Sequence, residues 1–361
     1  MPISTRSVGT PYWSTRNVTL YLGDVRACLR RLPARSVHCC VTSPPYWGLR
    51  DYGNDKSLEI GAESLADCNT RGQAQCGRCF VCSMVSVFRE VHRVLRDDGT
   101  LWLNLGDTFT DGGQGMVPAL VALALREDGW LLRQDIIWYA LNKIPEPVTD
   151  RFVKSHEHIF LLTKSKEYYY DHVGVQESNN GRLVNKRDVW VVPTSARYPG
   201  SHSATFSPKL ITPCILAGTS EHGCCAGCGK PYERVVVRVG GVVTDKQEDT
   251  NRDRSFDWSR NGKAGSGSTL DGTIALKETV GWQRTCGCKT DAVTPVVVLD
   301  PFVGSGTTVV TALELGRIGV GIDLSETYLR EIAIPRIESS KVGRPETRMV
   351  PGAAPLPVRT L

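Results

Sequence analysis

The chain has 361 residues, 41% of them hydrophobic, which is enough for one large α/β domain plus a smaller module. Its formal net charge of +5 permits a nucleic-acid partner without demanding one, and no apolar run approaches the ~20 residues of a membrane-spanning helix. The opening MPISTRSVGTPYW lacks the apolar centre of a signal peptide, so an intracellular protein is expected, and in that compartment 13 cysteines point to metal before disulfide.

Residues 1–16 read as a polar arm. Asn17–Leu22 reads as a strand ending at Gly23-Asp24, and the next helix carries Val25, Cys28, Leu29 and Leu32, with Asp24 placed to cap it. Val37–Val41 is a second strand, stopped abruptly by TSPPYW, Thr42–Trp47. Pro44 and Pro45 have no N–H and a fixed φ, so the loop is stiff and its carbonyls have no ladder partner. Ser43 adds a hydroxyl, and Tyr46 and Trp47 add aromatic faces. In-plane acceptors with a ring on the face suit a planar group that donates N–H bonds, such as the exocyclic amine of a base. In isolation the stretch is more simply a strand and a proline turn with packed aromatics.

Leu49–Met84 departs from a plain α/β pattern. Its Cys68, Cys76, Cys79 and Cys82 are spaced to close a tetrahedral zinc site or to stand as loop thiols. Val85–Leu95 has helical periodicity, Asp97-Asp98-Gly99 reads as a turn, and Thr100–Leu105 as a strand. Asn104, Gly106 and Asp107 then fall at a strand's carboxyl edge, where open α/β sheets bind ligands. A loop at Asp111–Gly115, a helix at Val117–Leu125 and strands at Arg133–Tyr139 and His158–Thr163 follow. Lys164–Tyr170 interleaves Lys164 and Lys166 with three tyrosines, which suits phosphate contact and base stacking or a solvated strand end. Asn179–Ser203 is polar and partly basic, with a strand at Asp188–Pro193. Gly223–Lys289 begins Cys225-x2-Cys228 and ends Cys286-x-Cys288, the pattern of a zinc ribbon or knuckle, around a mobile Gly/Ser-rich stretch at Gly240–Gly272.

Val296–Thr308 (VVVLDPFVGSGTT) is a second long motif. A β-branched run ends at Asp300, a turn carries Gly304 and Gly306, and a helix opens at about Ser305. This strand, glycine turn and helix begin a nucleoside-binding α/β unit. The strand Ile318–Ile322 ends in Asp323, 17 residues after Gly306, where an acidic side chain accepts bonds from ribose hydroxyls. The third glycine of a dinucleotide fingerprint and a GK[ST] are both missing, so neither NAD nor ATP is the expected ligand. A helix over Ser325–Ser339 and a disordered tail from Lys341 complete the chain.

D-P-F-x-G-S-G-T together with T-S-P-P-Y-W resembles the amino-group DNA methyltransferases, N4-cytosine or N6-adenine, that use S-adenosyl-L-methionine. With the catalytic loop first and the cofactor loop last, the order is that of the circularly permuted β class. The resemblance covers roughly Val18–Leu103, Arg133–Tyr170 and His202–Ile337. It implies an α/β, Rossmann-like fold: a mostly parallel seven-stranded sheet with an antiparallel edge hairpin, here with cysteine-rich insertions. The expected division is a catalytic half at 17–170, with the insertion 49–84, and a possible target-recognition segment at 171–203, with Leu49–Met84 and Gly223–Lys289 competing with it for base reading. A cofactor half at 204–340 follows, with the zinc insertion 223–289, and then the tail 341–361. The resemblance makes Ser43, Pro44, Pro45 and Tyr46 catalytic. It gives Asp24, Phe206, Asp300, Pro301, Phe302, Gly304, Gly306, Thr307 and Asp323 to the cofactor, with Asp24 near its adenine and Phe206 near its methionine part. It sets Asn142, Lys143, Pro145 and Pro147 near the target base, beside the edge hairpin. Structural zinc is expected at Cys225, Cys228, Cys286 and Cys288, with a possible second site at Cys68, Cys76, Cys79 and Cys82.

The expected partner is double-stranded DNA, in the cytoplasm of a prokaryotic or phage-infected cell. A cognate restriction endonuclease fits the family but is not required, and the oligomeric state is open. Ser at position 43 resembles the cytosine-N4 members, while Asp or Asn there is more usual in adenine-N6 members. Cys39 and Cys40 lie within the strand rather than after a proline, so they read as small core residues and not as the nucleophile of carbon-5 methylation. Two other classes stay open: an RNA or protein amide methyltransferase, and a non-catalytic DNA-binding protein.

Overall fold

In the computed structural model, residues 10–48, 60–65, 76–110, 112–143, 146–179, 182–194, 206–243 and 273–340 are described. The arm before Thr10, Cys68, Pro145, residues 195–205, most of Gly240–Gly272 and the tail from Lys341 lie outside them.

One sheet carries the molecule. Its strands in chain order are β1 (Trp13–Ser14), β2 (Val18–Leu22), β3 (Val37–Thr42), β4 (Leu95–Leu105), β5 (Leu131–Tyr139), β6 (His156–Thr163) and β7 (Val189–Val191). Next come β8 (Glu233–Val243) and β9 (Thr273–Gln283), which pair only with each other, then β10 (Val297–Asp300) and β11 (Ile318–Asp323). The sheet order is β1-β2-β11-β10-β3-β4-β6-β5-β7. β2, β11, β10, β3 and β4 are parallel, β6 is antiparallel to β4, and β5 pairs antiparallel with β6. The expected seven-stranded core with its antiparallel hairpin is therefore present. Two short strands, β1 and β7, extend it at the edges, so the hairpin is not the last element on its side.

Side chains alternate across the sheet with the period of two that a strand imposes. Cys40, Leu101, Leu103, Leu299 and Ile322 face α1 (Val25–Arg31), α2 (Phe80–Val94) and α3 (Val117–Glu127). Cys39, Val41, Trp102 and Val298 face α4 (Pro208–Gly218) and Ala312 of α5 (Thr307–Glu314). Cys39 and Cys40 are thus fully buried in opposite layers. Burial pushes the Cys39 thiol up to about 12 and Cys40 well above its ordinary value, so neither offers a thiolate.

Three local expectations change. Asp97-Asp98-Gly99 is not a turn but part of the strand β4, which pairs with β3 through an irregular register between Val37 and Cys39. A Cβ at Gly99 would fall 2.8 Å from the His38 carbonyl oxygen, so the two strands approach there at glycine distance. α2 begins at Phe80 rather than Val85, which takes Cys82 into the helix. The last helix is interrupted by a π-turn at Leu329–Ala333, just before Pro335, whose missing N–H breaks the regular ladder.

Candidate active site

The carboxyl ends of the parallel strands gather both long motifs at one edge. Thr42 closes β3 and Asp300 closes β10, and the Thr42 hydroxyl donates to Asp300 Oδ1 at 2.7 Å. Asp300 also accepts from Thr308 Oγ1 at 2.6 Å and from the Phe302 N–H at 3.0 Å. It is only 2% exposed. Its carboxylate is therefore consumed in joining the TSPPYW loop to the glycine turn, a positioning task, rather than presented to a ligand.

The turn itself is built for close backbone approach. Gly304 and Gly306 have φ of +47° and +81°, and a Cβ on Gly306 would lie 3.2 Å from that of Ala333. Arg336 Nη1 donates to the Ser305 carbonyl, to Ser305 Oγ at 2.9 Å and to Thr307 Oγ1 at 3.1 Å. The Thr307 hydroxyl thus faces Arg336. Asp323 ends β11 and accepts from the Gly304 N–H at 2.8 Å and the Ser325 N–H at 2.8 Å; burial raises its carboxyl above the ordinary range. Gly23 N–H donates to the Asp323 carbonyl at 2.9 Å, which brings Asp24 alongside. Asp24 caps α1 through the Ala27 N–H at 2.9 Å and pairs with Arg26. Burial pushes its carboxyl up, but Arg26 and Ala27 outweigh it and hold it below its ordinary value. Pro301 is buried and Phe302 packs on the core beside the turn. Phe206 is buried in the cluster with Val298 and Ala312, just before Ser207, the cap of α4.

On the other side, Ser43 Oγ donates to the Tyr46 hydroxyl at 3.3 Å. Tyr46 in turn donates to Glu157 Oε2 at 2.6 Å, with Asn104 Oδ1 3.1 Å away. Asn104 Nδ2 donates to the same Glu157 oxygen at 3.3 Å and to the His158 carbonyl at 3.1 Å. Lys143 Nζ stands 4.0 Å from Glu157 Oε1. Gly106 makes room for the ring: a Cβ there would lie 2.5 Å from Tyr46 Cε2. Trp47 is an anchor rather than a free face, since its Nε1 donates to the Glu63 carbonyl at 2.5 Å and its ring packs on the core. Asp107, expected at a ligand-binding edge, instead accepts from the Val117 N–H at 2.8 Å and from Gln114 at 2.7 Å and so fixes the start of α3. Pro44 is buried and Pro45 half-buried between these groups.

A family model described as DNA methylase matches residues 37–245 and 296–334. The chain belongs to that family. S-adenosyl-L-methionine is its methyl donor and DNA its substrate class. This DNA methylase is 45% identical over 231 residues to the Type II methyltransferase M.Cfr9I of Citrobacter freundii, covering 56% of this chain and 72% of the relative. It is 34% identical over 345 residues to M.SmaI of Serratia marcescens, covering 87% and 88%. Among solved structures, the PvuII DNA methyltransferase, described as cytosine-N4-specific, aligns with a TM-score of 0.55 at 17% identity, over 88% of this chain and 86% of that one. That likeness is one of fold.

The methylase brings its cysteines together in two places. The sulfurs of Cys225, Cys228, Cys286 and Cys288 all lie within 4.8 Å of one another, as do those of Cys76, Cys79 and Cys82, whose expected fourth member, Cys68, lies outside the described residues. None of the 12 described cysteines is in a disulfide. No described helix is long and apolar enough to cross a membrane. Sequence reasoning missed Glu157, Arg336 and the purpose of Gly106. No local pattern marks them, because each acts on a residue at least 29 positions away in the chain.

Proposed function

We propose that this methylase transfers the methyl group of S-adenosyl-L-methionine to the exocyclic N4 amine of a cytosine extruded from duplex DNA at a specific site. The observation that carries the reading is the Thr42–Asp300 hydrogen bond, which holds the acceptor loop Ser43–Tyr46 against the turn Gly304–Gly306. The cofactor supplies a methyl already activated on sulfur, so the chain's task is alignment. Asp24, Phe302, the turn and Asp323 form its cradle. Ser43 Oγ and the Pro44 carbonyl accept the amine protons, which favours a tetrahedral, more nucleophilic nitrogen, and the Tyr46 ring stacks on the base. As the N–C bond forms and the S–C bond breaks, the nitrogen sheds one proton. Ser43 and the Glu157 carboxylate, joined through the Tyr46 hydroxyl, give it a route out.

The loop between β5 and β6 supports a DNA partner. It carries the cations Lys143, Arg151 and Lys154, of which Arg151 pairs with Glu146 and Asp150 and Lys154 donates to the Asp107 carbonyl, and Phe152, 98% exposed, of a size to fill the gap an extruded base leaves. The neutral Ser43 favours cytosine. A second reading, adenine N6, draws on Glu157, which returns to the pocket the carboxylate that the loop itself lacks. The Type II naming of the relatives supports a restriction endonuclease sharing the site; a solitary enzyme fits the chain equally.

Digestion and mass spectrometry of DNA from a methylation-free host expressing the chain tests this, beside a Ser43→Ala, Tyr46→Ala variant. N4-methylcytosine from the native chain alone is the expected result. N6-methyladenine would replace the base assignment, and no methylated base from a folded, cofactor-binding chain would overturn DNA as the substrate.

A further inference from the structure

The insertion between α4 and β10 attaches at the edge of the sheet opposite the active site. β3 and β10 start there, at Val37 and Val297, and end at Thr42 and Asp300. His38 Nδ1 accepts from the Val297 N–H at 3.1 Å, which leaves the proton on Nε2, and Nε2 donates to the Gly229 carbonyl at 2.8 Å. Arg96, held by Asp98, donates to the Cys228 carbonyl at 2.9 Å. The turn that carries Cys225 and Cys228 is thus seated on the amino ends of three central strands.

We infer that Cys225, Cys228, Cys286 and Cys288 bind one structural zinc ion as a closed tetrathiolate that clamps the base of the β8–β9 hairpin to this edge. The geometry is close to what the metal requires. With Zn–S distances of ~2.3 Å, four tetrahedral sulfurs lie about 3.8 Å apart, and these four lie within 4.8 Å. The Cys225–Cys228 turn is preformed: Gly229 N–H donates to the Cys225 carbonyl at 2.7 Å, Cys225 N–H to the Lys230 carbonyl at 2.9 Å, and Gly229 has φ +73°. Gly227 packs against the cluster: a Cβ there would touch Cys288 Sγ at 3.5 Å and Cys225 Sγ at 3.6 Å and would crowd Thr290 Cγ2 at 3.1 Å. The second half, Cys286 and Cys288, is tied in by Thr285 Oγ1 to the Pro231 carbonyl at 3.0 Å and by Ala226 N–H to the Ala292 carbonyl at 2.9 Å. Four protein ligands leave no open position, so the ion is structural, and the edge it occupies keeps it apart from methyl transfer.

Zinc per chain is measured in the purified full-length protein, untagged, and in a Cys286→Ser, Cys288→Ser variant. The native chain is expected to hold one zinc more than the variant. The variant is expected to melt at lower temperature while its KM for S-adenosyl-L-methionine stays within about twofold. Equal zinc in the two proteins overturns the site, and a shifted KM at unchanged melting temperature overturns its structural role. Should the variant fail to fold, cobalt(II) exchanged into a Cys76→Ser, Cys79→Ser chain, which lacks the other cysteine cluster, decides. The strong visible bands of a tetrahedral thiolate site are expected, with four thiols becoming reactive per ion released; weak octahedral bands would sink the proposal.

Discussion

Asp300 is a buried carboxylate that three donors share, and its pH behaviour follows from that. Burial pushes it up to about 6, against the hydrogen bonds from Thr308, Thr42 and Phe302. The folded value lies above the ordinary 3.8, so protonation favours the folded chain. This contribution is fully present below 3.8 and is lost as pH rises through about 6. In urea unfolding, the native chain is expected to gain about 2 kcal/mol on an Asp300→Asn variant between pH 7 and pH 4; a difference that does not change with pH would contradict the buried-charge account. Glu157 is a positioning residue by the same standard of contact. Glu157→Gln and Tyr46→Phe are each expected to lower kcat by about 10²-fold, the cost of a misplaced reacting group, and the double variant to be no worse than either. Additive losses would separate the two residues. Gly106→Ala is expected to displace the Tyr46 ring and lower kcat with little change in KM for S-adenosyl-L-methionine, because the cofactor turn is held by other contacts.

At the scale of elements, the β5–β6 loop is where extrusion of a base should be felt. A Phe152→Ala variant is expected to lose about tenfold in rate on a fully paired duplex and to recover on one mismatched at the target, where opening the pair costs less. Equal losses on both substrates would deny Phe152 that role. Most elements were legible because their periodicity is local: β2, β3, α3, β5 and β10 fall within about two residues of where the pattern puts them. The two motifs were legible as a pair, but the Thr42–Asp300 bond that joins them was not, since 258 positions separate its ends. Asp97-Asp98-Gly99 misled because its turn-like composition serves a strand that must pass close to His38. Phe206 and Thr307, read as ligand contacts, are buried, the one in the cluster with Val298 and Ala312 and the other against Arg336, neighbours that no local pattern announces.

For the whole molecule, the two edges of the sheet divide the labour. Residues 60–65, the start of α2 and residues 192–194 lie at the active-site edge: Trp47 meets Glu63, Phe80 N–H donates to the Ser64 carbonyl, and Thr194 meets Asn142. The hairpin insertion is rooted at the other. Exchange of residues 49–79 for those of a relative with another target is expected to change the DNA sequence methylated, as read by sequencing modified bases, whereas exchange of 223–289 is expected to leave it unchanged. The opposite pattern would assign base reading to the hairpin.

The strand order has a further consequence, for timing. β2 and β3 are the second and third strands made, yet they are not neighbours: β11 and β10, at residues 297–323, lie between them. In a growing chain the place between β2 and β3 therefore stays unfilled until β10 and β11 have been made. The acceptor loop sits on β3, which has β4 on one side but still lacks β10 on the other. A ribosome-bound chain cut short anywhere before that point carries Ser43–Tyr46 but no turn to set against it, so the enzyme comes into being at a single late moment of synthesis.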